Sequence, residues 1–176
     1  MNYSSVAVFC GSKFGNNSLF LTHTKALGKL IAQHKQTLVY GGGNVGLMGA
    51  ISNAVMENGG KVIGVIPELL KDREIHHNGI SELIIASDMH SRKKRMYELC
   101  DAAVILPGGF GTLDELFEML TWNQLNIHNK KIILLNSGGY YNNLVAHLHQ
   151  MEADGFLYEA VTNRITICNT PEDIYR

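Results

Sequence analysis

Between Ala102 and Asn123 a strand-length apolar run, a glycine-rich turn and a segment of helical spacing follow one another without interruption. The run Ala102 to Leu106 reads as a buried parallel strand, Pro107-Gly108-Gly109-Phe110-Gly111-Thr112-Leu113-Asp114-Glu115 as the turn, and Thr112 to Asn123 as the helix. A bare turn between a buried strand and a helix presents backbone N–H groups at the positive end of the helix, which is a cradle for an anion such as phosphate. Pro107 fixes φ at the strand exit, and Gly108, Gly109 and Gly111 leave room for close approach. Thr112 is the expected N-cap, with a hydroxyl as a further donor. Glu115 falls in the first helical turn, within reach of whatever the phosphate carries.

The same alternation runs through the chain. Strands are expected at Val6 to Cys10, Thr37 to Tyr40, Val62 to Ile66, Glu82 to Ala86, Lys131 to Leu135 and Arg164 to Cys168. Helices are expected at Ser18 to His34, Leu47 to Glu57, His90 to Leu99 and Tyr141 to Glu152. Glu68 to Gly79 is polar and irregular, and Thr170-Pro171 opens a last helical turn as N-cap and first residue. Alternation of this kind gives an α/β fold, a Rossmann-like, doubly wound, mostly parallel sheet flanked by helices. With 176 residues, one domain spanning 1–176 accounts for the whole sequence. Ligands of such a sheet sit at the carboxyl ends of its strands, where strand order reverses. Three glycine turns, at Gly11-Ser12, Gly41 to Gly46 and Gly108 to Thr112, follow strands of this kind and would surround one pocket.

A net charge of −1 gives no support to nucleic acid as a partner. The start of the chain has neither a basic nor a long apolar stretch, and no apolar run approaches a membrane span, so a cytoplasmic protein is expected. Cys10, Cys100 and Cys168 are far apart and read as reduced core thiols. His76-His77 and His147-Leu148-His149 lack the spacing that aims two imidazoles at one metal, and read as surface or rim residues. Phe117, Met119 and Trp122 read as core.

Two further segments leave alternatives open. Gly41-Gly42-Gly43-Asn44-Val45-Gly46 satisfies the dinucleotide pattern G-x-G-x-x-G, but the next strand ends in Pro67-Glu68, a poor grip for a ribose. Either tight backbone packing or a ligand contact would explain the glycines. In Asp88-Met89-His90-Ser91-Arg92-Lys93-Lys94-Arg95, helical spacing places Met89, Arg92 and either Arg95 or Met96 on one face. Arg92 then either enters the pocket, where a guanidinium grips phosphate or carboxylate in bidentate fashion, or joins a solvated basic face.

Met89-His90-x-Arg92-Lys93 followed by Pro107-Gly108-Gly109-x-Gly111-Thr112-x-x-Glu115 resembles the LOG (Lonely Guy) family of cytokinin riboside 5′-monophosphate phosphoribohydrolases. The likeness extends to Cys10-Gly11-Ser12, Val39-Tyr40-Gly41-Gly42-Gly43, Gly64-Val65-Ile66-Pro67, Arg73-Glu74 and Thr121-Trp122-x-Gln124-Leu125. Ser91 and Asp114 stand where glutamate is common in the family. The resemblance implies a homodimer that hydrolyses the N-glycosidic bond of N6-modified AMP to free base and ribose 5-phosphate, without metal or redox cofactor. It implies Arg92 and Glu115 as the catalytic pair. Its substrate-binding set would comprise Ser12, Gly42, Glu74, Met89, Arg92, Lys93, Gly108, Gly109, Phe110, Gly111, Thr112, Leu113, Asp114, Glu115 and Thr121. Set against it are a broad purine or pyrimidine monophosphate nucleosidase, a non-catalytic nucleotide-binding protein, and a nicotinamide-dependent enzyme using Gly41 to Gly46. The family's older name, lysine decarboxylase, needs a lysine to form a Schiff base with pyridoxal phosphate, and no lysine stands at a buried strand end. Glu115, at a helix N-terminus, is expected to favour its ionised form.

Overall fold

The computed structural model describes residues 3–71, 77 and 79–176. Seven strands form one sheet: β1 (Ser5–Phe9), β2 (Thr37–Tyr40), β3 (Lys61–Pro67), β4 (Glu82–Ala86), β5 (Ala102–Ile105), β6 (Lys131–Leu135) and β7 (Ile165–Cys168). Their order is β4-β3-β2-β1-β5-β6-β7, and every neighbouring pair is parallel. The sheet is wholly parallel, where a mostly parallel one was expected. Parallel pairing follows from the helices that return the chain across the sheet. They are α1 (Ser18–Gln33), α2 (Gly46–Glu57), α4 (Met89–Leu99), α5 (Phe110–Gln124) and α6 (Asn142–Ala153), with single turns α3 (Glu68–Lys71) and α7 (Val161–Arg164).

Strand side chains alternate between two cores. Ala7, Phe9, Val39, Val65, Ala103 and Ile105 pack with Met96 and Tyr97 of α4 and with Leu116 and Met119 of α5. Val6, Val8, Leu38, Tyr40 and Val104 pack with Leu27 and Ile31 of α1 and with Leu47, Ile51 and Val55 of α2. Both faces of the central strands are therefore dry, which is why their sequences are continuous apolar runs rather than alternating ones.

The chain moves outward from β1 to β4 and then returns to β1's other side at β5, so strand order reverses between β1 and β5. Here the two strand exits are tied together. The Leu106 N–H donates to the Phe9 carbonyl at 2.9 Å, and the Gly11 N–H donates to the Pro107 carbonyl at 3.1 Å. The Leu47 N–H, at the start of α2, donates to the Gly11 carbonyl at 3.1 Å. All three glycine turns thus meet at one edge of the sheet. No helix among the described residues is long and apolar enough to cross a membrane.

Candidate active site

A cavity of about 330 Å³ opens at the β1–β5 exits. Its walls come from β1 and the turn after it (Cys10, Gly11, Ser12), from Gly41 and Met48, from Met89 and Arg92 of α4, and from α5 with its preceding glycine (Gly109, Phe110, Gly111, Thr112, Asp114, Glu115).

The helix that follows the Gly108 to Gly111 turn starts earlier than expected. Gly109, in extended conformation, is the N-cap of α5, and Thr112 is its third residue. Thr112 does not cap because it lies inside the first turn, and its side chain packs against Gly108. A Cβ on Gly108 would lie 2.1 Å from the Thr112 hydroxyl oxygen and 2.9 Å from the Gly11 nitrogen. Asn17 accepts from the Leu19 N–H at 3.0 Å to cap α1, and Asp88 accepts from the Ser91 N–H at 2.9 Å to cap α4, whereas α5, like α2, α6 and α7, has no side-chain cap, and of these α5 starts at the cavity wall. The first N–H groups of a helix have no intrahelical acceptor, so α5 directs uncapped donors and a positive dipole end into the cavity.

Arg92 and Glu115 face each other across this cavity. Arg92 Nη1 donates to Glu115 Oε1 at 3.0 Å, and Arg92 Nε donates to the Val65 carbonyl at 3.1 Å. Both side chains are about nine-tenths buried. Of the two faces open to α4, the buried one carries Arg92 and Met96, while Arg95 lies in solvent and pairs with Glu98. Asp88, well below the usual carboxylate range because the Ser91 backbone and side chain donate to it, pins the first turn of α4 and so the height of Arg92. Gly41 makes the guanidinium's seat. A Cβ there would lie 2.5 Å from Arg92 Nη2 and 3.1 Å from Met48 Sδ. The first glycine of the G-x-G-x-x-G pattern therefore makes room for an arginine, and it also lines the cavity.

Glu115 does not favour its ionised form as its helix position suggested. Burial outweighs the neighbouring Arg92 charge and raises its pKa from 4.5 to about 7. Cys10, beside the pair, is held far above the ordinary thiol range by burial and by the Glu115 charge, so it stays a neutral thiol.

Of the residues singled out in the sequence, Ser12, Met89, Arg92, Gly109, Phe110, Gly111, Thr112, Asp114 and Glu115 line the cavity. Others stand elsewhere. Gly42 is turned toward Ile66 and Leu83, and its neighbour Gly41 lines the wall instead. Gly108 lies behind the cradle, and Leu113 packs against the core. Lys93 Nζ donates to Asp114 Oδ2 and Glu118 Oε1, both at 3.0 Å. Burial alone would lower its pKa, but those two carboxylates reverse the direction and raise it. Lys93 thus braces α4 to α5, and Tyr97 completes the brace by donating to Glu118 at 2.7 Å. Thr121 donates to the Phe117 carbonyl at 2.7 Å and lines a separate apolar groove. Glu74 and His76 lie outside the described residues. His77 Nε2 is 2.7 Å from Asn53 Oδ1, and His149 lies beside Glu152. Gly41, from one of the three turns expected around the pocket, also lines the cavity, as do Cys10, expected only as a core thiol, and Met48 and Leu70, which no sequence signal marks.

Phe117 is not core. It is 37% exposed and lines the groove with Leu120, Leu148, Met151, Leu157 and Tyr158, between α5, α6 and α7.

Residues 48–176 match the family model described as "Possible lysine decarboxylase". Over 169 residues the chain is 44% identical to the cytokinin riboside 5′-monophosphate phosphoribohydrolase of Rhodococcoides fascians, covering 96% of this chain and 85% of that one. It is also 44% identical over 169 residues to an Arabidopsis thaliana protein of the same name, covering 96% of this chain and 78% of that one. Among solved structures, the molybdenum cofactor binding protein of Rippkaea orientalis superposes with a TM-score of 0.73 at 23% identity, covering 99% of this chain and 94% of that one. The molybdenum cofactor carrier protein of Chlamydomonas reinhardtii superposes with a TM-score of 0.72 at 19% identity, covering 97% and 92%. These two likenesses concern the fold.

Proposed function

The chain belongs to the LOG family of cytokinin riboside 5′-monophosphate phosphoribohydrolases, and on that premise we propose that it hydrolyses N6-modified AMP, and AMP itself, to free base and ribose 5-phosphate. The observation that carries this reading is the shared cavity of an uncapped helix N-terminus and a buried Arg92–Glu115 pair. The 5′-phosphate takes the place of the missing cap, accepting from the backbone N–H groups of Gly109 to Thr112. That anchor sets the ribose over Glu115, one turn along the same helix.

The bond to be broken joins C1′ of the ribose to a ring nitrogen of the base. Its electron pair leaves with the base, and C1′ gains oxocarbenium character. Ionised Glu115 stands with its negative charge beside the positive charge developing at C1′, and accepts a proton from water as the water oxygen bonds to C1′. The departing base takes up a proton from solvent, and Glu115 returns its own proton to solvent before the next turnover. A carboxyl with a pKa of about 7 is a stronger base than an ordinary glutamate and is still half ionised at neutral pH. Arg92 holds that carboxylate in place and carries the compensating charge on the ribose-phosphate side.

Copies of the chain pair through the apolar groove of α5 to α7, where Tyr158 stands 88% exposed beside Phe117. Homodimerisation in the cytoplasm is part of the same proposal.

The test is release of base and ribose 5-phosphate from N6-isopentenyl-AMP, AMP and adenosine, with wild type beside Glu115→Gln. Wild type should release base from both nucleotides and poorly from adenosine, and the variant should lose at least about 10²-fold. Tight AMP binding with no ribose 5-phosphate released would instead mark a nucleotide-binding module.

A further inference from the structure

Two consecutive tyrosines reach the glycine turn from behind. Tyr140 and Tyr141 precede α6, more than thirty residues downstream of the turn, yet both hydroxyls end on its carbonyls. Tyr141 Oη donates to the Leu106 carbonyl at 2.6 Å, and Tyr140 Oη donates to the Gly108 carbonyl at 2.7 Å. The Tyr140 ring is held edge-on against Phe20 at 5.3 Å and Tyr141 at 4.8 Å. The backbone beneath it is fixed too, since the Tyr141 N–H donates to Asn136 Oδ1 at 2.7 Å. Among the described residues, the Tyr140 hydroxyl makes the one side-chain hydrogen bond to the backbone of residues 108–112.

A trans peptide points its carbonyl and its N–H in opposite directions. The Gly108 carbonyl is bonded to Tyr140, so the N–H of the same peptide unit, that of Gly109, points away from Tyr140. Gly109 lines the catalytic cavity and is the uncapped start of α5. Both residues of this unit are glycines, which offer little steric resistance to rotation of the peptide plane. A rotated plane would turn a carbonyl, instead of a donor, toward an anion.

We propose that Tyr140 is a positioning residue for the substrate phosphate: its hydroxyl sets the Gly108–Gly109 peptide plane and so aims the Gly109 N–H at the phosphate. This rests on the cradle reading given under the proposed function. Tyr141 supplies the internal control. Its hydroxyl fixes the Leu106–Pro107 unit, whose nitrogen belongs to proline and carries no hydrogen to aim.

The experiment measures binding of ribose 5-phosphate by calorimetry for wild type, Tyr140→Phe and Tyr141→Phe, with melting temperatures alongside. Tyr140→Phe should weaken binding about tenfold with little change in melting temperature, the loss expected of one misdirected hydrogen bond to a charged group. Tyr141→Phe should lower the melting temperature and leave affinity within about twofold, because it removes a buried hydrogen bond remote from the anion. In turnover, Tyr140→Phe should raise KM for AMP about tenfold, change kcat little, and leave the slow cleavage of adenosine unchanged. Equal weakening by both variants, or a Tyr140→Phe protein that melts lower but binds ribose 5-phosphate as wild type does, overturns the proposal. So does a wild type that fails to bind ribose 5-phosphate. A wild type that binds it but turns over no nucleotide refutes the hydrolase reading alone, and the calorimetric comparison still decides the role of Tyr140.

Discussion

Replacing Glu115 by Gln separates the charge of this side chain from its shape. Gln keeps an oxygen where Arg92 Nη1 donates and removes only the buried negative charge. In the folded protein the Glu115 pKa lies at about 7, against 4.5 for an unhindered carboxyl. Between those two values the folded state holds a proton that the unfolded state has released, so wild-type stability falls as pH rises through that window and levels off above it. At 1.36 kcal/mol per pH unit, the interval amounts to about 3 kcal/mol. Glu115→Gln has no such proton and escapes the fall. Below pH 4.5 the two proteins should be about equally stable, because a protonated Glu and a Gln are nearly isosteric. By pH 8 the variant should be more stable by about 3 kcal/mol, which at a urea m-value of about 2 kcal/mol per molar moves the midpoint by about 1.5 M. Urea titrations at pH 4.5, 6, 7 and 8, at one protein concentration, measure the gap directly. A gap that stays constant over this range, or that closes as pH rises, would refute the argument that burial dominates the Glu115 environment. The same protonation governs catalysis, so wild-type kcat/KM should rise with pH through about 7 and the variant's residual rate should lack that limb.

Two further outcomes follow from the packing. Gly41→Ala places a methyl where Arg92 Nη2 and Met48 Sδ now lie, displacing the guanidinium, and should lower kcat about 10²-fold in a folded protein; a kcat within twofold of wild type would show that Arg92 tolerates the shift. Phe117→Asp combined with Tyr158→Asp puts charge into the apolar groove between α5 and α7 and should convert dimers to monomers in sedimentation velocity, whereas an unchanged sedimentation coefficient would place the dimer contact elsewhere.

What could be read from the sequence follows from how local each cause is. Strands buried on both faces are continuous apolar runs, so Val6 to Phe9 and Ala102 to Ile105 announce themselves, and the alternation of runs with helical segments gives the parallel sheet. The turn after β5 was equally local, three glycines and a proline at a strand exit. Its details were not. Threonine is a common cap, so a cap at Thr112 was the natural expectation, but Gly108 and Gly11 approach so closely that the Thr112 side chain is taken up behind the turn. Helical spacing offered Arg95 and Met96 equally, and the apolar core formed by Phe9, Ile105 and Leu116 selects Met96. Tyr140 and Tyr141 had no local signal at all, since their partners lie more than thirty residues earlier. Glu115 was misread for a related reason. Its helix position is visible in the sequence, but the burial that outweighs it depends on α4 and β1 closing over it, and a helix dipole contributes only about 0.3–2 kcal/mol against that cost.

The older family name, lysine decarboxylase, implies a different chemistry. A decarboxylase working through pyridoxal phosphate needs a lysine amine free to form a Schiff base at the cofactor. Among the described residues, none of those lining the Arg92–Glu115 cavity is a lysine. Lys93 is close by on α4, but both Asp114 and Glu118 hold its ammonium at 3.0 Å and raise its pKa, which keeps it charged and non-nucleophilic. Meanwhile the cavity's ionisable centre is a carboxyl tuned to neutral pH beside an arginine, at the positive end of a helix. That combination suits an anionic substrate whose reacting carbon becomes positive as its bond breaks. A sugar phosphate losing a base from C1′ has both properties, and an amino acid bound as an imine to a cofactor needs an amine that Lys93 cannot spare.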